Sequence, residues 1–327
     1  MTTPTGTTTG ATAGTTAGTT AGTKAGTTAG TKARTRAARA IRLGPRSVAA
    51  LVLVSVVGLI AVGWPLFADA DSALTDHAAD APWFFALLLP LLIAVVVATI
   101  ADCGMDAKAV AMLGVLAAVG AALRPIGAGT AGLEPMFFLM VLSGRVLGPG
   151  FGFVLGAVTM FASALLTGGV GPWLPTQMLS MGWFSMGAGL LPGPERIRGR
   201  AERLMLAAYG FAAAFAYGTV TNLYGWVTVG GTGGQGMGEG ISFEPGGPLG
   251  ENLVRFLAYV AATSLGWDLG RALLTVVLTL TAGGVLLRAL RRATRRANFE
   301  AQVTFEGPRE APAGEAAHRA QITSEAK

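Results

Sequence analysis

The chain has 327 residues, 52% of them hydrophobic and 13% charged, with a formal net charge of +6 and a mean hydropathy of +0.55. A soluble domain carries about 25% charged residues, so this balance excludes an ordinary soluble enzyme and points to an all-α, polytopic membrane helical bundle. The basic residues cluster beside apolar runs, where they set topology rather than bind nucleic acid, and the lone Cys103 excludes an intrachain disulfide or a cysteine-held zinc.

Residues 1–46 open the chain with a repeating TAGT unit that ends in Lys24, Lys32, Arg34, Arg36 and Arg39. With almost no apolar side chains to bury, this reads as a disordered, basic cytoplasmic tail. Residues 47–104 hold two additional spans, near 47–67 and 83–101. Residues 105–290 hold a six-helix membrane core, with spans near 109–127, 135–148, 149–168, 172–191, 204–229 and 264–288. That makes about eight transmembrane helices in all. The run 135–148 is short for a span and reads as tilted or broken, joined to the next at Gly148-Pro149-Gly150. Residues 251–263 read as a helical lead-in to the last span, and 291–327 as a polar cytoplasmic tail.

Charge sets the orientation. Arginines before the first span (Arg34, Arg36, Arg39, Arg42, Arg46), in 192–203 (Arg196, Arg198, Arg200, Arg203) and after 288 (Arg291, Arg292, Arg295, Arg296) all fall on one side of an eight-span chain. By the positive-inside rule that side is cytoplasmic, so the protein is a multi-pass plasma-membrane protein with both termini inside. The loop with Asp69, Asp71, Asp76 and Asp80 is then outside. So are the polar breaks at 124–135, 168–177 and 226–256, which meet at one external mouth. The Gly-rich stretch 230–248 is either a lid over that mouth or a connector.

Within these breaks lie the residues that can touch a ligand. Arg124-Pro125 ends one helix and Glu134-Pro135 starts the next. The two form an ion pair that pins the loop, a polar contact to ligand, or both. Trp173 and Gln177 share a face near the external end of the sixth span, with Trp183 further along. Trp173 also fits an interfacial anchor. Asn222, Tyr224 and Trp226 close the seventh span, and Asn222 needs a partner on another helix or on a ligand. Arg255, Tyr259, Trp267 and Asp268 precede or open the last span, where Asp268 suits the helix N-terminus. The ligand-site set is therefore Arg124, Glu134, Trp173, Gln177, Asn222, Tyr224 and Trp226, and its aromatic content favours a ring-containing molecule over a metal ion.

Small residues recur at helical spacing: Gly114, Ala118 and Ala122 on the third span, Gly152 and Gly156 on the fifth, Gly266 and Gly270 on the eighth. Such faces pack helices closely, and the one on the third span also suits docking of a second membrane protein. There is no phosphate-binding GxxxxGK[ST] loop, no HExxH and no GxSxG, which argues against an enzyme and requires no cofactor. His77 and His318 lie outside the spans. No strong charge pair is visible within the spans, which speaks against coupling to an ion gradient.

The block ALRPIGAGTAGLEPMFFLMVLSGRVLGPGFGFVLGAVTMFASALLTGGVGPWLPTQML (122–179), with SLGWDLGRALLTVVLTL (264–280), resembles the substrate-binding S components of energy-coupling factor transporters, in particular an actinobacterial type with two extra N-terminal spans. The resemblance covers roughly 105–290. It implies a six-helix core that binds a vitamin or similar micronutrient under external loops. It also implies partners: a membrane coupling protein (the T component) and two cytosolic ATPases. In that family small residues on the first core helix meet the coupling protein; the matching positions here are Ala107, Ala111, Gly114, Ala118 and Ala122, a pattern only partly kept. The rival readings are a stand-alone secondary transporter and a membrane scaffold without ligand.

Overall fold

The computed structural model describes residues 45–66, 81–102, 107–127, 131–227, 238 and 240–298. The regular structure among them is all helical, and no strand occurs among the described residues. Ten α-helices follow in order: α1 Pro45–Gly63, α2 Ala81–Asp102, α3 Ala107–Leu123, α4 Met136–Leu147, α5 Pro149–Thr167, α6 Leu174–Leu190, α7 Gly199–Gly225, α8 Leu249–Thr263, α9 Leu265–Thr281 and α10 Gly283–Asn298. The expected N-terminal tail, the acidic loop between α1 and α2, most of 228–239 and residues 299–327 lie outside the described residues.

Among the described residues, four helices are long and apolar enough to cross a membrane: α1, α3 with its terminal 3-10 turn, α5 and α7. A fifth crossing results if α9 and α10 count as one span. α4, and Leu89–Ala98 within α2, are apolar but shorter. The stretch 264–288, read from the sequence as one span, is instead two helices that meet at 71° around Ala282. Composition explains the break. α9 carries the apolar run, whereas α10 (GGVLLRALRRATRRAN) opens on two glycines and carries an arginine-rich face that an apolar span does not accommodate. Residues 249–263 form a separate helix, α8, whose buried Asn252, Phe256 and Tyr259 lie on one face.

α5 is the central helix, with 67% of its apolar window buried against 28% in α1 and α3. It packs most extensively on α6, and also on α3 and α4. Between lipid-facing helices the hydrophobic effect offers little, so close approach and dispersion carry the packing. Glycines allow it here: a Cβ on Gly144 or Gly152 would run into the Ser185 carbonyl of α6, one on Gly156 into the Met181 carbonyl, and one on Gly189 into the Pro149 nitrogen. The small residues of α5 therefore do pack backbone against backbone, whereas Gly114 and Gly266 have nothing within 4 Å. Phe137, Phe151, Phe153, Met140 and Met160 fill the remaining space and are fully buried.

The α4–α5 joint falls at Gly148, whose φ of 97° suits glycine, and Pro149 starts α5 where its missing N–H costs nothing. α1 and α2 lean on this core through α6: Trp183 donates its indole N–H to the Ser55 hydroxyl at 2.9 Å, and Gly58 makes room for Leu179.

α7 and α9 run alongside each other and connect the two ends of the bundle. At one end, the Arg145 Nε (2.9 Å) and the Arg291 Nη2 (2.6 Å) both donate to the Glu202 Oε1, and the Arg203 Nη1 donates to the Leu280 carbonyl at 2.8 Å. The basic segments 192–203 and 288–298 thus meet at that end. At the other end, residues 131–134 meet the start of α9, and Arg124 reaches Gln177.

Candidate functional site

The site begins with a loop pressed onto a helix. A Cβ on Gly132, which has φ of 80°, would overlap the Trp267 carbonyl, and one on Gly270 would overlap the Ala131 carbonyl. Residues 131–134 therefore lie directly against the first turns of α9. This brings Glu134 to Arg271, with 3.5 Å between the Oε1 and the Nη2.

Arg271 is 9% exposed and holds four groups together. Its Nη1 donates to the Asp268 Oδ1 at 2.7 Å, one helical turn back. Its guanidinium lies over the rings of Phe137 (5.0 Å) and Tyr217 (5.1 Å), within cation–π range. Tyr217 is buried on α7 beneath that guanidinium, with its ring edge-to-face against Phe137 at 5.0 Å. Arg124 in turn donates to the Gln177 Oε1 at 3.2 Å and reaches Ser163 at 3.5 Å. Two arginines, two carboxylates, a glutamine and a tyrosine thus share one end of the bundle.

α7 supplies a second wall. Gly218 leaves room for the Asp268 carboxylate, which a Cβ there would displace. One turn on, Asn222 accepts a 2.6 Å hydrogen bond from Ser264 through its Oδ1. Another turn on, Trp226 is fully buried, donates its indole N–H to the Ile241 carbonyl at 2.8 Å, and packs against Phe243 and Phe256 at 5.0 and 5.2 Å. Spacing by four puts Gly218, Asn222 and Trp226 on one helix face.

The sequence-selected residues therefore occupy three places. Arg124, Glu134 and Gln177 come together in the charged cluster, and Asn222 borders it. Tyr224 is buried near the end of α7, and Trp226 anchors an aromatic cap over the same end. Trp173 stands apart: it is 43% exposed and donates to the Gly169 carbonyl within its own turn. Of the Gly-rich stretch, residues 240–248 are fastened down. Asn252 brackets the backbone of Glu244 with its side-chain amide, and Arg255 pairs with Glu244 at 2.5 Å. Residues 228–237 and 239 lie outside the described residues.

Arg271, Tyr217 and the buried role of Asp268 were not singled out from sequence. Neither was the ion pairing of Arg271 with Asp268 or of Arg145 with Glu202, so the premise that the spans lack strong charge pairs does not hold. The one available signal was an Asp-x-x-Arg pair at helical spacing, WDLGR, in an apolar setting. Two buried donors of the cluster, the Arg271 Nε and the Asn222 Nδ2, have no hydrogen-bond partner among the described residues. Polar atoms left so in an apolar interior cost free energy unless something else meets them. No group of three or more His, Cys, Asp or Glu side chains suited to a metal occurs among the described residues.

The positions Ala107, Ala111, Gly114, Ala118 and Ala122 all lie on the exposed face of α3. The opposite face, with Leu113, Ala117 and Gly120, is buried; Gly120 approaches Thr159 of α5 and Met140 of α4.

No family model matches this chain, and no curated protein or solved structure shows significant similarity to it.

Proposed function

We propose that the protein is the substrate-binding membrane subunit of an energy-coupling-factor importer, which captures a vitamin-like, ring-containing micronutrient outside and passes it inward with partner ATPases. The observation that carries this reading is the polar cluster of half-buried Arg124, Glu134 and Gln177 with buried Asp268 and Arg271, and its unmatched donors on Arg271 and Asn222. Such groups are retained in apolar bundles chiefly where they meet a ligand or each other. The aromatic cap of Trp226, Phe243 and Phe256 over the same end supplies the apolar part of a ligand site. The exposed small-residue face of α3 is where a coupling protein docks in this reading.

The test is mild-detergent purification of the tagged protein from its native host, with mass spectrometry of bound proteins and small molecules. Recovery of a coupling protein, two ATPases and a small organic molecule is the expected result, with the small molecule lost from the R124A/Q177A variant. A folded protein that carries no small molecule and whose uptake activity survives deletion of the ATPases counts against it.

A second reading, the stand-alone secondary transporter, gains one specific observation: Asp268 lies buried beside Arg271, the kind of intramembrane charge that proton- or ion-coupled carriers use. In that case uptake collapses when the ion gradient is dissipated.

A further inference from the structure

At the opposite end of the molecule, a cleft of about 340 Å³ opens between the start of α7 and the elbow where α9 turns into α10. Four arginines line it, Arg200, Arg203, Arg288 and Arg291, against one carboxylate, Glu202. Glu202 is already engaged, since its Oε1 accepts from both Arg145 and Arg291. Arg203 is held by the Leu280 carbonyl. Arg200 and Arg288 have no hydrogen-bond or ion-pair partner among the described residues.

The cationic groups converge. A Cβ built on Gly284 in the cleft wall would lie 3.7 Å from the Arg288 Nη1 and 3.9 Å from the Arg203 Nη1, so two guanidinium groups approach one point over a residue without a side chain. Like charges gathered this closely repel unless an anion lies between them. The backbone adds to the field: α7 starts at Gly199 with no side-chain cap, so its positive end borders the cleft. Planar guanidinium forks match the tetrahedral oxygens of a phosphate. Val285 and Leu287 in the cleft lining provide an apolar flank.

We propose that this elbow cleft binds a phosphate group, carried either by an anionic lipid headgroup or by a soluble phosphate. Arg200 and Arg288 are the free ligands, and Arg203 and Arg291 are held in place by their own protein contacts. The site is separate from the charged cluster at the other end and does not depend on the transport reading.

The test uses the full chain purified in neutral detergent and follows its thermal unfolding and its native mass spectrum. Inorganic phosphate is titrated against chloride at matched ionic strength, and phosphatidylglycerol against a neutral glycolipid. Phosphate or phosphatidylglycerol is expected to stabilise and bind the wild-type protein. Preference for phosphatidylglycerol, undiminished by excess phosphate, identifies a lipid source; binding of phosphate with no lipid preference identifies a soluble one. In R200Q/R288Q the apparent affinity should fall about tenfold or more, as when charge-assisted hydrogen bonds are removed. G284L keeps every charge but fills the cleft and should lose the same binding. No response of the wild type to either probe overturns the proposal, as does wild-type binding by either variant.

Discussion

Arg271 has a buried acid one turn behind it, a second acid on the facing loop, and two aromatic rings under its guanidinium. Breaking such a pair from one side leaves an uncompensated charge. Removal of Asp268 in D268A should therefore lower stability by about 3–5 kcal/mol, measured by unfolding in detergent. Removing both charges together in D268L/R271M should restore most of that stability. If the cluster serves ligand, this restored variant still fails to bind, which separates a structural role from a binding one. Gly218 makes a related demand, because G218V places a methyl group where the Asp268 carboxylate lies. Of these residues, Arg124, Glu134 and Gln177 were legible in the sequence because each sits beside a proline break or a helix end. Arg271 was not, since its partner Glu134 lies on a loop far away in the chain and only the fold joins them. Trp226 looked like a ligand ring because it sits at a span end, a position equally suited to its role in the aromatic cap.

The helices themselves were largely written in the apolar runs, and the Gly148-Pro149 joint in two residues with fixed backbone habits. The elbow after α9 was harder to read. Leu286, Leu287 and Leu290 continue the apolar signal past Gly283, so the run reads as unbroken, while Arg288 among them and the arginines after Leu290 mark a two-faced helix. Element packing also carries a clear expectation. α5 and α6 meet backbone to backbone at Gly156, so G156L forces the two helices apart and should cost about 1–3 kcal/mol in the same unfolding measurement. The same change at Gly114, which faces open space on α3, should leave stability nearly unchanged. In the importer reading G114L instead weakens recovery of the coupling protein in a pull-down.

At the scale of the whole molecule, the bundle has two unlike ends. One gathers the charged cluster and the aromatic cap, and the other gathers Glu202 with the arginines of three segments. The sequence suggested this polarity through its distribution of arginines and polar breaks, but it held no sign that Glu202 serves as the shared acceptor for Arg145 and Arg291. E202Q should loosen α4, α7 and α10 together, seen as faster hydrogen exchange in all three helices and a stability loss of about 3 kcal/mol or more. The 27 residues of α7 join the two ends, with Glu202 in its first turn and Asn222 and Trp226 at its other end. A helix of that length is a strut of roughly 40 Å. Were it to tilt by about ten degrees around its middle, each tip would swing by about 3.5 Å, more than the length of a hydrogen bond. A stiff lever of this kind cannot shift Asn222 and Trp226 without straining the Glu202 ion pairs, so the two far-separated ends share one mechanical degree of freedom.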